Sequence, residues 1–125
     1  MDFDRHGLAT VLVDGRHYYV KRDGTMLQVV TSDNWADDFS QGLVRSREKG
    51  KVSYHDRRFR RIIAPVYDWG FPFRNGRALV CRGCTVQQPD AEGHSAVTDG
   101  VWGYIDMKGS EVVPVVYTRE EAERK

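Results

Sequence analysis

The chain has 125 residues, 19 Lys and Arg against 18 Asp and Glu, and so almost no net charge. Its length suits one domain, residues 1–125. Its 40% hydrophobic and 11% aromatic residues exclude an intrinsically disordered chain. No stretch approaches the roughly 18 consecutive apolar residues of a membrane helix, two cysteines are too few for a disulfide-stapled scaffold, and residues 1–6, with Asp2, Asp4 and Arg5, lack the apolar run of a leader. The expectation is therefore a soluble, cytoplasmic monomer.

The charge is unevenly spread. Basic against acidic residues number 4 and 7 in residues 1–41, 10 and 3 in 42–77, and 5 and 8 in 78–125. A basic middle between acidic flanks suits either an acidic partner or repeats that neutralise one another.

Taken along the chain, the elements repeat. Gly7, Gly15, Tyr19 and Gly24 are matched at identical offsets by Gly42, Gly50, Tyr54 and Phe59. A third series starts at Gly76 and reaches Cys84, is interrupted over 84–99, and resumes as Gly100, Tyr104 and Gly109. Asn34-Trp35, Phe39 and Gly42 return 34 residues later as Asp68-Trp69, Phe73 and Gly76. The copies span about 7–41, 42–75 and 76–117. Residues 9–13, 18–21, 43–47, 52–55, 77–81 and 102–106 are short runs rich in β-branched and aromatic side chains, bounded by turn residues, and read as strands. Asp14-Gly15 and Asp23-Gly24 mark tight turns. Residues 118–125 predict either a frayed tail or a short C-terminal helix capped by Thr118. Repeats of this length cannot bury an apolar face alone, so the copies stack on a shared core. The recurring rings, Trp35, Phe39, Tyr54, Tyr67, Trp69, Phe71, Phe73, Trp102 and Tyr104, are its expected content.

Val101-Trp102-Gly103-Tyr104-Ile105-Asp106-Met107-Lys108-Gly109, then Val112-Val113-Pro114 and Tyr117, resembles the signature of the bacterial WG-repeat family. Ile62-Ile63-Ala64-Pro65-Val66-Tyr67-Asp68 resembles its latter half. Copy one has His17-Tyr18 and copy two Val52-Ser53 near the Trp-Gly position. The resemblance implies an all-β fold of three stacked antiparallel hairpin repeats. It also implies an accessory or interaction module, an immunity or inhibitor protein being one form.

Two departures from the repeat are the candidate sites. Arg57, Arg58, Phe59, Arg60 and Arg61 occupy the turn that reads Met107-Lys108-Gly109-Ser110 in copy three, with one residue more before Pro65. An exposed Phe among four guanidinium groups has the make-up of a protein-binding anchor; the other reading is a solvated turn whose Phe folds back on the core. The partner expected is another protein of acidic character, ahead of nucleic acid, because the domain as a whole is not basic. The second departure is the loop 84–99, rooted in Cys81-Arg82-Gly83-Cys84. Cys81 and Cys84 form one Cys-x2-Cys knuckle, half of a four-ligand zinc set, which His94 in the loop could join and His6, His17, His55, Asp90 or Glu92 would have to complete. Incidental thiols, a disulfide brace and redox work are the other readings. No phosphate loop, metalloprotease helix or nucleophile elbow is present, so the expectation is a non-enzymatic protein.

Overall fold

Pairs of left-handed residues fold together the first two strands of copies one and two. Asp14 and Gly15 (φ 52° and 77°) and Lys49 and Gly50 (53° and 82°) form two-residue turns whose twist suits a hairpin. They join β1 (Leu8–Val13) to β2 (Arg16–Lys21) and, beyond β3 (Met26–Val29), β4 (Thr31–Ser32) and β5 (Trp35–Ala36), join β6 (Val44–Glu48) to β7 (Lys51–His55). The chain continues through β8 (Arg61–Tyr67), β9 (Trp69–Gly70), β10 (Arg77–Arg82), β11 (Thr85–Val86), β12 (Val97–Thr98), β13 (Val101–Asp106), β14 (Glu111–Tyr117) and α1 (Arg119–Glu123). The structure, a computed structural model, describes residues 2–87 and 96–125.

Each copy forms one antiparallel sheet, ordered β1-β2-β3, β6-β7-β8 and β14-β13-β10-β9. The fold is all-β and built of repeated hairpins, as the sequence implied, but each hairpin carries a third strand that the strand reading missed. In copies two and three that strand holds Pro65 or Pro114, and proline has no N–H for a ladder. Both are tolerated because β8 and β14 are outer strands with a bulge. Val52 pairs with Tyr67 but Tyr54 with Ile63, and Trp102 with Tyr117 but Tyr104 with Val113. The matching registers account for the one residue more before Pro65. Phe59 stands exactly where Gly109 does, and Pro65 is simply one place later in its strand than Pro114.

The bulge also explains the glycine after Trp102. A Cβ on Gly103 would lie 2.3 Å from the carbonyl oxygen of Val113 and 2.6 Å from that of Pro114. Copy two has Ser53 in this place, fully buried, with its hydroxyl 3.1 Å from Nε2 of His55.

Each of the first two copies ties its sheet, by a repeated clasp, to its own trailing segment, which leads into the next copy. The Tyr19 hydroxyl donates to the Asp37 carbonyl at 2.7 Å, and its ring meets Phe39 edge-on with centroids 4.9 Å apart. One repeat later the Tyr54 hydroxyl donates to the Phe71 carbonyl at 2.7 Å, and its ring meets Phe73 edge-on at 4.9 Å. Burial pushes the Tyr19 phenol up to about 12 and raises that of Tyr54 as well, so both hydroxyls stay protonated donors. Beside the first clasp Arg45 forks onto both carboxylate oxygens of Asp37 (3.1 and 2.7 Å) and donates to the carbonyl of Gly70 in β9, which links the first clasp to the strand that leads into copy three. Beside the second, the Tyr67 hydroxyl and Arg82 both donate to Glu111.

One expected core ring is not in the core. Trp69 is buried, but Trp35 is 74% exposed. In copy one the chain leaves the sheet at Val30, whose N–H bonds to the Arg45 carbonyl, and residues 31–36 form the outlying β4-β5 pair that carries Trp35 at its tip.

The C-terminal segment forms the short helix rather than a frayed tail, and is docked. The Thr118 side chain accepts from the Glu121 N–H and the Glu121 side chain from the Thr118 N–H, a reciprocal cap. Ala122 is fully buried, while Arg119 lies over the rings of Phe71 and Trp102 and donates to the Val97 carbonyl.

The turn into the third strand of each copy is built around a carboxylate. Asp106 accepts from the N–H groups of Lys108 and Ser110, Asp56 from those of Arg58 and Arg60, and Asp23 from that of Thr25. Those bonds hold the Asp106 and Asp23 carboxyls below their usual range. At Asp56 burial acts upward but is outweighed by the bonds from Arg60 and Arg58. A carboxyl depressed in the folded state stabilises it fully above the unfolded value of about 4, and that contribution is lost as the pH falls through the folded value. Melting temperature is therefore expected to drop as pH is lowered below about 4, and Asp106→Asn to flatten the drop in a pH series of thermal melts. Gly103→Ala, which drives a methyl into the β14 backbone, is expected to lose about 1–3 kcal/mol in urea titrations with an unchanged slope.

Candidate interaction surfaces

The basic turn keeps the backbone of its counterpart in copy three, and that backbone dictates where its side chains go. Phe59 has φ 67° at the place of Gly24 (92°) and Gly109 (90°). A bulky residue in the left-handed region costs on the order of 1–3 kcal/mol and persists only where its surroundings hold it. Here the ring packs on the cluster of Leu8, Tyr19, Val29 and Val44, with Nζ of Lys21 4.8 Å from its centroid. Of the two readings of Phe59, the structure takes the folded-back one; it is not an exposed anchor.

Its neighbours face outward to different degrees. The Arg57 guanidinium lies 4.9 Å over the Phe39 ring. Arg60 pairs with Asp56 at 2.8 Å and Arg61 with Glu48 at 3.1 Å, while Arg58 is exposed. Lys21 donates to the Arg58 carbonyl at 2.9 Å, which ties the turn to copy one. Arg57 and Arg58 thus share a cleft of about 400 Å³ with His6, Lys21, Arg22 and Asp23. Four of these six groups are permanent cations and one is a carboxylate. Copy one's share was hidden in the sequence because Lys21 and Arg22 sit in a net acidic segment.

At the other departure the sulfurs of Cys81 and Cys84 are bonded to each other. Of the readings open for this pair, the structure shows the brace: joined in this way, neither sulfur is a thiolate that can ligate zinc. His94, Asp90 and Glu92 lie outside the described residues. The remaining candidate ligands are dispersed. His17 is buried with Nδ1 3.0 Å from the Thr31 hydroxyl, His55 is buried beside Ser53, and His6 lies in the basic cleft. No group of three or more His, Cys, Asp or Glu converges as a metal site among the described residues. The base of the loop continues the fold, since β11 pairs with β12. Gly100 closes it so tightly that a Cβ would lie 2.4 Å from the Arg82 carbonyl oxygen.

Sequence reasoning missed a third surface. β1 is the outer strand of its sheet, and beside it runs a groove of about 630 Å³ floored by Thr10, Leu12, His17 and Tyr19 and walled by Trp35. Leu12 is 63% exposed there. The available signal was the tryptophan itself, which follows Asp33-Asn34, two residues of positive φ that make a tight turn.

The family model of the WG containing repeat matches residues 56–83 and 102–119. No curated protein and no solved structure matches the chain. Both matched segments fall in copies two and three, where the bulged third strand and the aspartate-centred turn are most alike. With the sulfurs bonded, the protein as purified without reductant is expected to show no titratable thiol, two after unfolding and reduction, and no stoichiometric zinc. One zinc per chain by elemental analysis would restore the metal reading.

Proposed function

This chain is a WG-repeat protein, and we propose that it serves as a non-enzymatic module that binds another protein of acidic character in the cytoplasm, as a monomer. The observation that carries the proposal is the cleft between copies one and two, where Lys21, Arg22, Arg57 and Arg58 converge against a single lining carboxylate. Three of these cations are held on aromatic rings, Lys21 on Phe59, Arg22 on Phe3 and Arg57 on Phe39. Cations fixed before binding lose less side-chain entropy when a partner arrives, and clustered charge of one sign speeds the encounter with an acidic surface. The unusual cost of Phe59 at positive φ fits a turn shaped for contact.

The finer form of the reading is an inhibitor or immunity protein that masks an acidic or substrate-mimicking surface of its target. It rests on the family resemblance and on the ring-held cations of the basic cleft.

The test is affinity capture with the tagged protein from lysate of its source cells, with and without nuclease, beside Arg22→Glu/Arg58→Glu. Both arginines stand outside the ion pairs of the turn, and Arg22→Glu gives up the contact with the Phe3 ring, so the variant should melt within a few degrees of the wild type. One stoichiometric protein that resists nuclease, is lost to the double variant and weakens with salt is the expected result. Recovery unchanged by the variant would remove this surface from the account, and nuclease-sensitive recovery would reassign it to nucleic acid.

A further inference from the structure

We propose that the open edge of β1, with Trp35 beside it, binds an extended aromatic-bearing segment of a partner protein by adding it as a strand. The proposal concerns a surface distinct from the basic cleft.

The protein itself shows what such an edge takes. β10 is the first strand of copy three, and its outer edge is covered by β9, which arrives from copy two. Gly70 lies opposite Val80 and Trp69 opposite Cys81; the Phe71 N–H bonds to the Leu79 carbonyl at 2.9 Å and the Asp68 N–H to the Cys81 carbonyl at 3.0 Å. The arriving Trp69 then packs with Leu79, Cys81 and Trp102 on the face below. β6, the first strand of copy two, is covered more briefly, through the Val30 N–H on the Arg45 carbonyl at 2.9 Å.

The repeat offsets place Thr10 at the position of Leu79 and Leu12 at that of Cys81. The cross-strand partners agree: Thr10 faces Tyr19 as Leu79 faces Tyr104, and Leu12 faces His17 as Cys81 faces Trp102. Among the described residues no strand lies on the outer side of β1. The Thr10 and Leu12 main chains therefore present to solvent the carbonyls that their counterparts use to hold β9. Below them the face that Trp69 covers in copy three is an open groove, and Trp35 stands on its wall at 74% exposure.

Backbone pairing with side chains seated in a groove is the physics of strand addition, and an exposed tryptophan is the side-chain type that most often dominates such an interface. The internal precedent specifies the occupant: an extended run with an aromatic residue next to a small one, as in Trp69-Gly70-Phe71. Among the described residues a second copy of this chain supplies no such free strand, because its Trp-Gly-Phe run is already seated on β10 and the residues after β14 are committed to α1.

The test uses a synthetic peptide that copies residues 66–73, titrated into the intact protein and followed by amide and indole NMR signals. Saturable shifts at Thr10, Leu12 and the Trp35 indole are expected. Trp35→Ala or Leu12→Lys, each at an exposed position, should weaken binding at least about tenfold. A peptide with proline in the place of Phe71 loses one strand bond and should bind more weakly than the native peptide. Arg22→Glu/Arg58→Glu should bind the peptide as the wild type does, so failure of the basic cleft and failure of this edge are read separately. Absence of saturable binding, or shifts confined to the basic cleft, would overturn the proposal. So would dimerisation of the chain that Leu12→Lys abolishes, which would assign the edge to a second copy.

Discussion

One tyrosine in each of the first two copies determines how the copies stack. Tyr19 and Tyr54 stand at equal offsets, each buried, each donating to a carbonyl of the segment that leads to the next copy, and each meeting an equivalent phenylalanine edge-on. A single sheet of three short strands buries too little to stand alone. The clasp couples each sheet to its successor through a desolvated hydrogen bond and an aromatic contact at once, so neither can form well without the other. The third tyrosine, Tyr104, has no following copy among the described residues. It is partly exposed under the Arg77 guanidinium, 3.8 Å from its centroid, and α1 closes the sheet beside it.

The positions that deviate from this pattern are where the candidate surfaces lie. Phe59 replaces a turn glycine and, in folding onto copy one, brings Arg57 and Arg58 next to Lys21 and Arg22. The outlying β4-β5 pair lifts Trp35 away from the position that Trp69 holds and leaves the groove beside β1. The disulfide and the β11-β12 pair extend the hairpin of copy three at a point where copies one and two turn in two residues. Packing accounts for what recurs; these three features are each local to one copy.

Much of the fold was legible because spacing survives divergence. The equal offsets of Gly15, Gly50 and Gly100, and of the three tyrosines, reflect turns and clasps that tolerate few other residues, and they predicted the copies and the hairpins. The third strands were not legible, because Pro65 and Pro114 argue against a strand unless the bulge and the free edge are known. Trp35 and Trp69 align as letters, yet their environments differ because a two-strand excursion between Val30 and Asp37 is invisible to an ungapped comparison. Of the basic turn, the sequence showed the charge but not the direction of Phe59, which depends on contacts with Leu8 and Tyr19 far away in the chain. The cysteine pair could be narrowed to a brace only once Cys81 and Cys84 were seen to be bonded.

The clasp is tested most directly by a double-mutant cycle on Tyr54→Leu and Phe73→Leu, with stability read from urea unfolding of the two single variants and the double. If the two residues act as one coupling element, their interaction energy will be about 0.5–1.5 kcal/mol, the range of a buried aromatic pair. Strict additivity would contradict the account, because it would mean that the copies are held by general burial and that the repeated tyrosine and phenylalanine contribute independently.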